Sequence, residues 1–257
     1  MEHHLEDEAR ERARIEHELE VARDIQLGSL PEGVPTLEGW QIDPYCQPAR
    51  EVGGDFYEFY QLGDGRVGFV VGDATGKGVP AAIVTTATAA YLGGVAAASD
   101  SSPGEALVLA NEALFARIPA NMFVTCFYAV LDPEGASLTY ANAGHDLPYL
   151  YRNGDAEELR ARGMPLGLMP GMSYEEGEVT LAEGDCVLFY SDGLVEAHAS
   201  DGEMFGFPRL GAFVAEHGGE RSLRNLLLEE LYSFVGDGWE QEDDITLLTL
   251  RRSAARG

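Results

Sequence analysis

The stretch that decides the fold is Arg66-Val67-Gly68-Phe69-Val70-Val71-Gly72-Asp73-Ala74-Thr75-Gly76-Lys77-Gly78, an apolar strand that runs into a glycine turn. Its aspartate stands where the strand ends. Aspartates occupy comparable positions at three more places, namely Asp55 after Gly53-Gly54, Asp192 in Ser191-Asp192-Gly193, and the pair Asp243-Asp244 before Ile245. Carboxylates gathered in one cleft repel each other unless divalent cations neutralise them. The pattern therefore predicts metal-assisted hydrolysis.

Each of these turns, taken alone, is more typical of a surface turn than of a metal ligand. The set favours a site, because Asp73 and Asp192 follow strongly apolar strands, where a surface turn has no need of an inward carboxylate. Residues 72 to 78 also invite comparison with a phosphate-binding P-loop. The comparison fails because only three residues separate Gly72 from Gly76-Lys77, where four are required, and glycine replaces the serine or threonine that follows the lysine. We interpret Lys77 as a structural residue beside the site.

Two other enzyme classes receive little support. A serine hydrolase of the GxSxG type is not indicated, since the chain has no such motif. His145, in Asn142-Ala143-Gly144-His145, is interpreted as a hydrogen-bonded structural group and not as an acid-base residue. A zinc site is not expected, because the cysteines Cys46, Cys126 and Cys186 are far apart and the histidines are dispersed.

Composition limits the classes of partner and the cellular compartment that we expect for this protein. With 44 acidic against 17 basic residues the formal charge is −27, which disfavours nucleic acid and anionic membranes as partners. No apolar run approaches the roughly 20 residues that span a bilayer. Together with unpaired cysteines and no signal peptide, this predicts a soluble protein of the reducing cytoplasm.

The chain divides into three parts. Residues 1–28 are charged and free of proline, with Leu5, Ile15, Leu19 and Ala22 near heptad spacing, which predicts a helix. Its apolar stripe is thin, so the helix packs either on its own domain or on a second copy. Residues 29–39 contain Pro and Gly and form a connecting segment, and residues 40–252 form a compact domain.

Within the domain the pattern predicts strands joined by hairpin turns, and hence mainly antiparallel sheets sandwiched between helical layers. A capping box, Ser102-Pro103-Gly104-Glu105, begins the second helix of the domain. The predicted strands are 40–47, 55–61, 66–72, 123–131, 137–141, 147–152, 174–180, 185–190 and 244–251, and the predicted helices are 79–97, one from 102, and 222–235.

Seven motifs in order over residues 45 to 251 carry a resemblance to a family: VGGDFYEF, VGDATGKGVPAA, FVTCFYAVLD, YANAGHDLPYL, GMPLG, LFYSDGLVEA and EDDITLLTLR. Together they resemble the SpoIIE/RsbU branch of the metal-dependent PPM-type serine/threonine protein phosphatases. Residues 20–26 also resemble the helix that precedes the catalytic domain in that branch. The resemblance implies an α+β fold, an αββα sandwich of two mainly antiparallel sheets flanked by helices, with an N-terminal helical extension.

The resemblance also implies two manganese or magnesium ions (Mn²⁺ or Mg²⁺) in a cleft at one edge of the sheets. Water activated by these ions would attack the phosphorus in line, with no covalent phosphoenzyme. Carried over by motif, Asp73 bridges both ions, Asp55 binds on one side with the main-chain carbonyl of Ala74, and Asp192 and Asp243 complete the other side, with Asp244 the less favoured member of the final pair.

Two positions concern the phosphate and the leaving group. Relatives place an arginine five residues before the first metal aspartate to bind phosphate, and Arg50 has that spacing from Asp55, although an exposed loop arginine is an equal alternative. Eukaryotic relatives often have a histidine two residues after the bridging aspartate, where this chain has Thr75. The acid that protonates the leaving group is therefore not assigned.

The branch typically dephosphorylates a serine on an anti-sigma-factor antagonist in partner-switching signalling, and its members are usually fused to sensory modules. We therefore expect a phosphoserine/phosphothreonine phosphatase with a phosphorylated protein substrate, regulated through the N-terminal helix by an upstream sensory domain, a bound regulator or homodimerisation. The alternative is a catalytically weak pseudophosphatase that acts as a docking module. The intact acidic set favours the enzyme.

Overall fold

The computed structural model describes residues 2–29, 31, 33–98 and 100–253. Six helices and ten strands follow one another as α1 (Glu2–Ser29), β1 (Trp40–Gln47), β2 (Asp55–Gln61), β3 (Val67–Ala74), α2 (Val79–Ala98), α3 (Pro103–Phe115), β4 (Val124–Asp132), β5 (Ser137–Ala143), β6 (Tyr149–Arg152), β7 (Asp155–Glu158), β8 (Glu176–Thr180), β9 (Cys186–Tyr190), α4 (Asp192–Val195), α5 (Phe207–His217), α6 (Leu223–Val235) and β10 (Ile245–Arg252).

The strands form two five-stranded antiparallel sheets. The first sheet has the order β1-β10-β9-β6-β7 and the second the order β2-β3-β4-β5-β8. Short turns connect β2 to β3 and β4 to β5, as the hairpin chemistry predicts, and every pairing of named strands is antiparallel. Strand β1 pairs with β10 across the whole chain and not with its neighbour β2. The predicted antiparallel sheets are therefore confirmed.

Because successive side chains of a strand point to opposite faces of its sheet, each face packs against one layer of the core. Val67, Phe69 and Val71 of β3 point between the sheets, where they meet Phe189 of β9 and Leu248 of β10 in the central core. The opposite face of the second sheet packs on α2 and α3, and the outer face of the first sheet packs on α4, α5 and α6. The layers are therefore helix, sheet, sheet, helix, which confirms the predicted αββα sandwich.

Helix α2 departs from one expectation. Although it is apolar nearly all round, only the face with Ala81, Val84 and Leu92 is buried, and Ile83 is exposed. By length and composition it is also the one helix among the described residues that could cross a membrane. The statement that no apolar run is long enough was thus wrong. In this fold the buried face of α2 packs on the second sheet, as expected of a core helix.

Among the described residues, the N-terminal helix α1 contacts the rest of the molecule near its C-terminal end. Ile15 and Ile25 are exposed, whereas Leu19 and Ala22 are partly buried. The side chain of Leu5, the first residue of the predicted stripe, lies outside the described residues. An apolar groove with a volume of about 480 Å³ lies between the last turns of α1 and the exposed face of α2. The predicted helix is present, and its packing on α2 is partial.

Candidate metal centre

The predicted aspartates come together at one edge of the sandwich. Strands β2 and β10 begin there, while β3 and β9 end there. Asp73 is two residues beyond Val71, and Asp55 is two residues before Tyr57, so both continue the faces that point between the sheets. Asp192 follows β9 in the other sheet, and Asp243-Asp244 precede β10. The strand ends therefore place carboxylates from both sheets at the edge of the central core.

Asp55 and Asp73 face each other directly across β2 and β3. Asp55 is buried, and one of its carboxylate oxygens, Oδ2, has no hydrogen-bond partner among the described residues. Burial, and then the charge of Asp73, raises the pKa of Asp55 well above its usual range, while hydrogen bonds from Ser191 and Thr246 act in the opposite sense. A buried carboxylate with an unsatisfied oxygen is costly unless a cation or a proton supplies the missing partner.

The ionised form of Asp73 is destabilised by the other carboxylates of the cluster. Burial raises its pKa to about 8, and Asp192, Asp243 and Asp244 each add to the shift. For Asp192, burial comes first, followed by Glu196 and Asp243, and its pKa rises to about 6. These carboxylates are close enough to destabilise one another's ionised forms, which is the electrostatic condition for binding divalent cations.

Asp244 has a different setting from its neighbour. Its Oδ1 accepts a hydrogen bond from the Ala49 main-chain N–H (2.8 Å), and its Oδ2 accepts from Gly54 (2.7 Å) and Asp55 (3.2 Å). Three charge-assisted bonds fix the loop that delivers Asp55. Both oxygens of Asp244 are thus engaged by main-chain N–H groups, whereas Asp243 accepts one such bond, from the Asp244 N–H to its Oδ1 (3.0 Å). Asp244 is therefore the anchor of this loop.

Glycine is required at this edge because the chains approach too closely for a side chain. A Cβ on Gly54 would lie 2.7 Å from Oδ1 of Asp73 and 3.0 Å from the carbonyl oxygen of Ala74. A Cβ on Gly193 would collide with the main-chain carbonyl of Asp244. The two glycines therefore leave room for oxygen atoms, including the Ala74 carbonyl, to face the same space.

The residues around the cluster have distinct surroundings. Arg50 is exposed and has no hydrogen-bond or ion-pair partner among the described residues. Thr75 is engaged on both sides of its hydroxyl, donating to the Phe123 carbonyl (3.0 Å) and accepting from the Phe123 N–H (2.8 Å). Lys77 donates to the Glu242 carbonyl (2.8 Å) and lies 3.4 Å from Oδ2 of Asp243, an exposed ion pair of small energetic weight. Of these three residues, Arg50 is the one without a polar partner in the described part of the chain.

His145 is buried and fully hydrogen-bonded. Its ring nitrogens lie 3.0 Å from Oγ1 of Thr125 and 2.9 Å from the carbonyl oxygen of Tyr190. Burial lowers the pKa of His145 to about 4, against a smaller opposite effect of the Tyr190 carbonyl. The imidazole is neutral at physiological pH, and the structural interpretation of this residue fits its surroundings.

Two residues near the site carried no sequence prediction. The Gln26 amide donates to the Gly53 carbonyl (2.7 Å) and accepts from the Gly53 N–H (3.0 Å), which joins α1 to the loop before Asp55. Asp146 has a pKa raised to about 6 by burial, Asp192 and Glu196, and its Oδ2 has no partner in the part of the chain that is described. Asp146 lies within the motif YANAGHDLPYL, a signal that could have found it, whereas nothing in a charged helix singled out Gln26.

The donor set suits hard divalent cations but does not form a closed cage. No three His, Cys, Asp or Glu side chains within residues 2–29, 31, 33–98 and 100–253 are grouped tightly enough to hold an ion as they stand. The orphaned Oδ2 of Asp55 and the mutual repulsion around Asp73 nevertheless provide unsatisfied oxygen ligands of the type that Mn²⁺ and Mg²⁺ prefer. The residues therefore fit such ions.

Comparison with known proteins places this arrangement in a family. A family model described as Stage II sporulation protein E (SpoIIE) matches residues 63–253. Phosphoserine phosphatase RsbU of Bacillus subtilis (strain 168) is 29% identical over 245 residues, covering 93% of this chain and 71% of RsbU. Protein IcfG of Synechocystis sp. (strain ATCC 27184 / PCC 6803 / Kazusa) is 29% identical over 266 residues, and the match covers 92% of this chain but only 42% of IcfG.

Solved structures agree with the sequence relatives. The SiaA-PP2C domain of Pseudomonas aeruginosa superposes with a TM-score of 0.81 at 26% identity, covering 93% of this chain and 98% of that chain. The RsbU and RsbW domains of Rv1364c from Mycobacterium tuberculosis give a TM-score of 0.74 at 27% identity, covering 89% of this chain and 64% of that one. The αββα architecture is thus shared with solved relatives.

Proposed function

The chain belongs to the Stage II sporulation protein E (SpoIIE) family, and on that premise we propose that it is a metal-dependent protein phosphatase that hydrolyses phosphoserine or phosphothreonine. The observation that carries the proposal is the meeting of Asp55, Asp73 and Asp192 at one edge of the sandwich, with pKa values raised by burial and by neighbouring carboxylates. A relative, RsbU, is named a phosphoserine phosphatase.

The proposed ligands are Asp55, Asp73, Asp192, Asp243 and the Ala74 carbonyl, with Asp244 as the anchor of the loop. Two Mn²⁺ or Mg²⁺ ions bound there would neutralise these carboxylates, activate water and stabilise charge on the phosphoryl oxygens. Gly54 and Gly193 keep the approach to the carboxylates open. The main chain of the Asp55 loop is held by Asp244, so the ligands are oriented before an ion arrives.

Arg50 is the proposed phosphate-binding residue. It follows Ala49, whose N–H is held by Asp244, and precedes the two glycines, so its loop is fixed at both ends while the guanidinium stays free. A guanidinium matches two phosphoryl oxygens at once. Neither Thr75 nor His145 is placed to protonate the leaving oxygen, because each is fully engaged with other protein groups. We therefore propose water as the source of that proton.

The proposed substrate is a phosphorylated anti-sigma-factor antagonist in partner-switching signalling in the cytoplasm. A relative supports this class, since one solved neighbour contains RsbU and RsbW domains together. The proposed regulation enters through α1, from an upstream sensory domain, a regulator bound in trans or a second copy. Because the chain spans 42% of IcfG and 71% of RsbU, these partners are proposals about a protein whose relatives are longer.

The test is a phosphatase assay with phosphorylated antagonists from the same genome and with p-nitrophenyl phosphate. We expect turnover with Mn²⁺ or Mg²⁺ and none after chelation. In a single turnover in ¹⁸O-labelled water, solvent oxygen should appear in the released phosphate, with no acid-stable phosphoprotein on quenching. Equal activity in metal-free protein would overturn the metal site, and a stoichiometric phosphoenzyme would point to covalent catalysis instead. No turnover of any phosphoprotein with metal present would favour the docking role.

A further inference from the structure

The side chain of His145 connects the two sheets at the edge where the carboxylates meet. Its Nδ1 lies 3.0 Å from Oγ1 of Thr125, in β4 of the second sheet. Its Nε2 lies 2.9 Å from the carbonyl oxygen of Tyr190, the last residue of β9 in the first sheet. The imidazole therefore makes one polar contact with each sheet, at the end of the apolar core between them.

The partners determine which nitrogen carries the proton. A carbonyl oxygen can only accept, so Nε2 donates to Tyr190, and Nδ1 then accepts from the hydroxyl of Thr125. The main chain of His145 is fixed as well, since its N–H donates to Oδ1 of Asn142 (2.8 Å) and its carbonyl accepts from Nδ2 of Asn142 (2.9 Å). With the ring bonded at both nitrogens and the backbone bonded at both groups, His145 has one available orientation.

Each partner of the ring stands next to a carboxylate of the candidate metal centre. Thr125 is directly opposite Asp73 in the β3–β4 register, and its hydroxyl also lies 3.4 Å from the Asp73 main-chain oxygen. Tyr190 precedes Ser191-Asp192, so its carbonyl fixes the chain just before Asp192 turns into α4. Asp73 and Asp192 belong to different sheets and repel each other.

We infer that His145 is a positioning residue that sets the separation of Asp73 and Asp192 by holding Thr125 of one sheet and Tyr190 of the other. The inference rests on the proposed function, because divalent ions are what that separation serves. A histidine that merely filled the core would stabilise the fold without affecting ligands on both sides. The bonds of His145 lead to both halves of the site, so its loss should weaken ion binding more than it weakens the fold.

Two substitutions separate the two bonds. His145→Gln places an amide N–H where Nε2 was and keeps the bond to Tyr190, whereas His145→Asn places an oxygen where Nδ1 was and keeps the bond to Thr125. Thr125→Val removes the hydroxyl from the other side with little change of shape. His217→Gln, at a partly exposed position in the last turn of α5, is the matched control. Mn²⁺ binding is measured by calorimetry, unfolding by heat in chelator, and kcat and KM with p-nitrophenyl phosphate.

We expect each His145 variant and Thr125→Val to raise the Kd for Mn²⁺ about 5- to 10-fold, the equivalent of one lost hydrogen bond near a ligand, while KM at saturating Mn²⁺ stays unchanged. The double variant His145→Gln with Thr125→Val should be no weaker than either single variant, because both remove the same bond.

An unchanged Mn²⁺ affinity in both His145 variants, with only the unfolding temperature lowered, would show that His145 is a core residue and overturn the inference. Additive losses of Mn²⁺ affinity in the double variant would show that His145 does not act through Thr125. If the wild-type protein binds no Mn²⁺, the proposed function fails, and the inference fails with it. If the His145 variants do not fold, the Mn²⁺ affinity of Thr125→Val alone tests the inference, since this substitution alters a partly exposed side chain.

Discussion

Asp55 and Asp73 stand directly opposite each other on adjacent antiparallel strands. Like charges in that position destabilise a sheet, and here one of the two is buried with an unsatisfied oxygen. The metal-free protein must either hold both charges or take up a proton, and each costs free energy. The pair is therefore unfavourable for folding without metal and, by our proposal, favourable for ion binding.

The first prediction follows from that conflict. Asp73→Asn should raise the free energy of unfolding by about 1 kcal/mol in chelator, because it removes one charge of the pair. In Mn²⁺ the order should reverse, since wild-type protein gains stability by mass action and the variant gains less. Thermal unfolding with chelator and with Mn²⁺ measures both effects. Asp155→Asn, on an exposed strand position, is the control. Equal Mn²⁺ stabilisation of Asp73→Asn and wild type would contradict the assignment of Asp73 as a ligand.

The second prediction separates a ligand from a loop anchor. Asp73→Asn should reduce kcat at least about 100-fold, because a proposed bridging ligand loses its charge. Asp244→Asn should cost about 10-fold, since the amide keeps one oxygen for the N–H groups of Gly54 and Asp55 but loses the charge that strengthens these bonds. Steady-state rates at saturating Mn²⁺ measure the comparison. A larger loss in Asp244→Asn would reverse the two roles.

Local signals predicted most of the fold. Strands 40–47 and 55–61 have the predicted bounds, and the capping box at Ser102 begins α3 with both reciprocal bonds present. Alternating side chains and turn residues act within a few positions, so they are readable from sequence. The elements β7 and α4 were missed, because four residues give too little periodicity. Helix α5 was missed although Leu210 and Val214 form an amphipathic stripe that the sequence shows.

Contacts between distant segments could not be read in the same way. The pairing of β1 with β10 joins residues some 200 positions apart, and no local pattern specifies it. The aspartates were found because each lies at one end of an apolar strand, but the anchoring of Ala49 by Asp244 and of Gly53 by Gln26 depends on loop placement. The site was thus predictable as a set of ligands, and its supporting contacts were not.

The third prediction concerns the free guanidinium of Arg50. Arg50→Ala should raise KM for p-nitrophenyl phosphate and for a phosphoserine protein about 10-fold or more, because a charged contact to the phosphoryl group is lost. Arg50→Lys should recover only part of the loss, since an ammonium cannot match two oxygens at once. Kinetics at saturating Mn²⁺ measure KM and kcat, and Mn²⁺ affinity should stay at the wild-type value. Unchanged KM in both variants would make Arg50 an ordinary loop residue.

The fourth prediction uses the pKa of His145, which burial lowers to about 4. The unfolded chain has the ordinary histidine pKa near 6.5, so between these values the unfolded state binds more protons and stability falls as the pH is lowered. His145→Gln cannot take up that proton. Its free energy of unfolding should therefore fall less than that of wild type between pH 7 and pH 4, by up to about 3 kcal/mol. Urea unfolding in chelator across this pH range measures the difference between the two proteins. Titration of the carboxylates contributes equally to both proteins and drops out of that difference. Parallel curves would mean that His145 is not buried in neutral form.

The last prediction concerns the contact by which α1 reaches the candidate metal centre. The amide of Gln26 satisfies both the N–H and the carbonyl of buried Gly53, two residues before Asp55. Gln26→Met keeps the size of the side chain but leaves both main-chain groups without that partner, so the loop should loosen, the Kd for Mn²⁺ should rise severalfold and turnover should fall. Gln41→Met, which removes a single bond to the Arg221 carbonyl, is the control.

Ile15→Glu with Leu19→Glu tests the rest of the helix, because Ile15 is exposed and can meet a second copy, whereas Ala22 lines the groove beside α2. If α1 pairs with a second copy, the double variant lowers the mass in solution and changes Mn²⁺ affinity with it. If mass, Mn²⁺ affinity and turnover all match wild type in both variants while the domain stays folded, α1 is a passive tether and regulation through this helix is excluded.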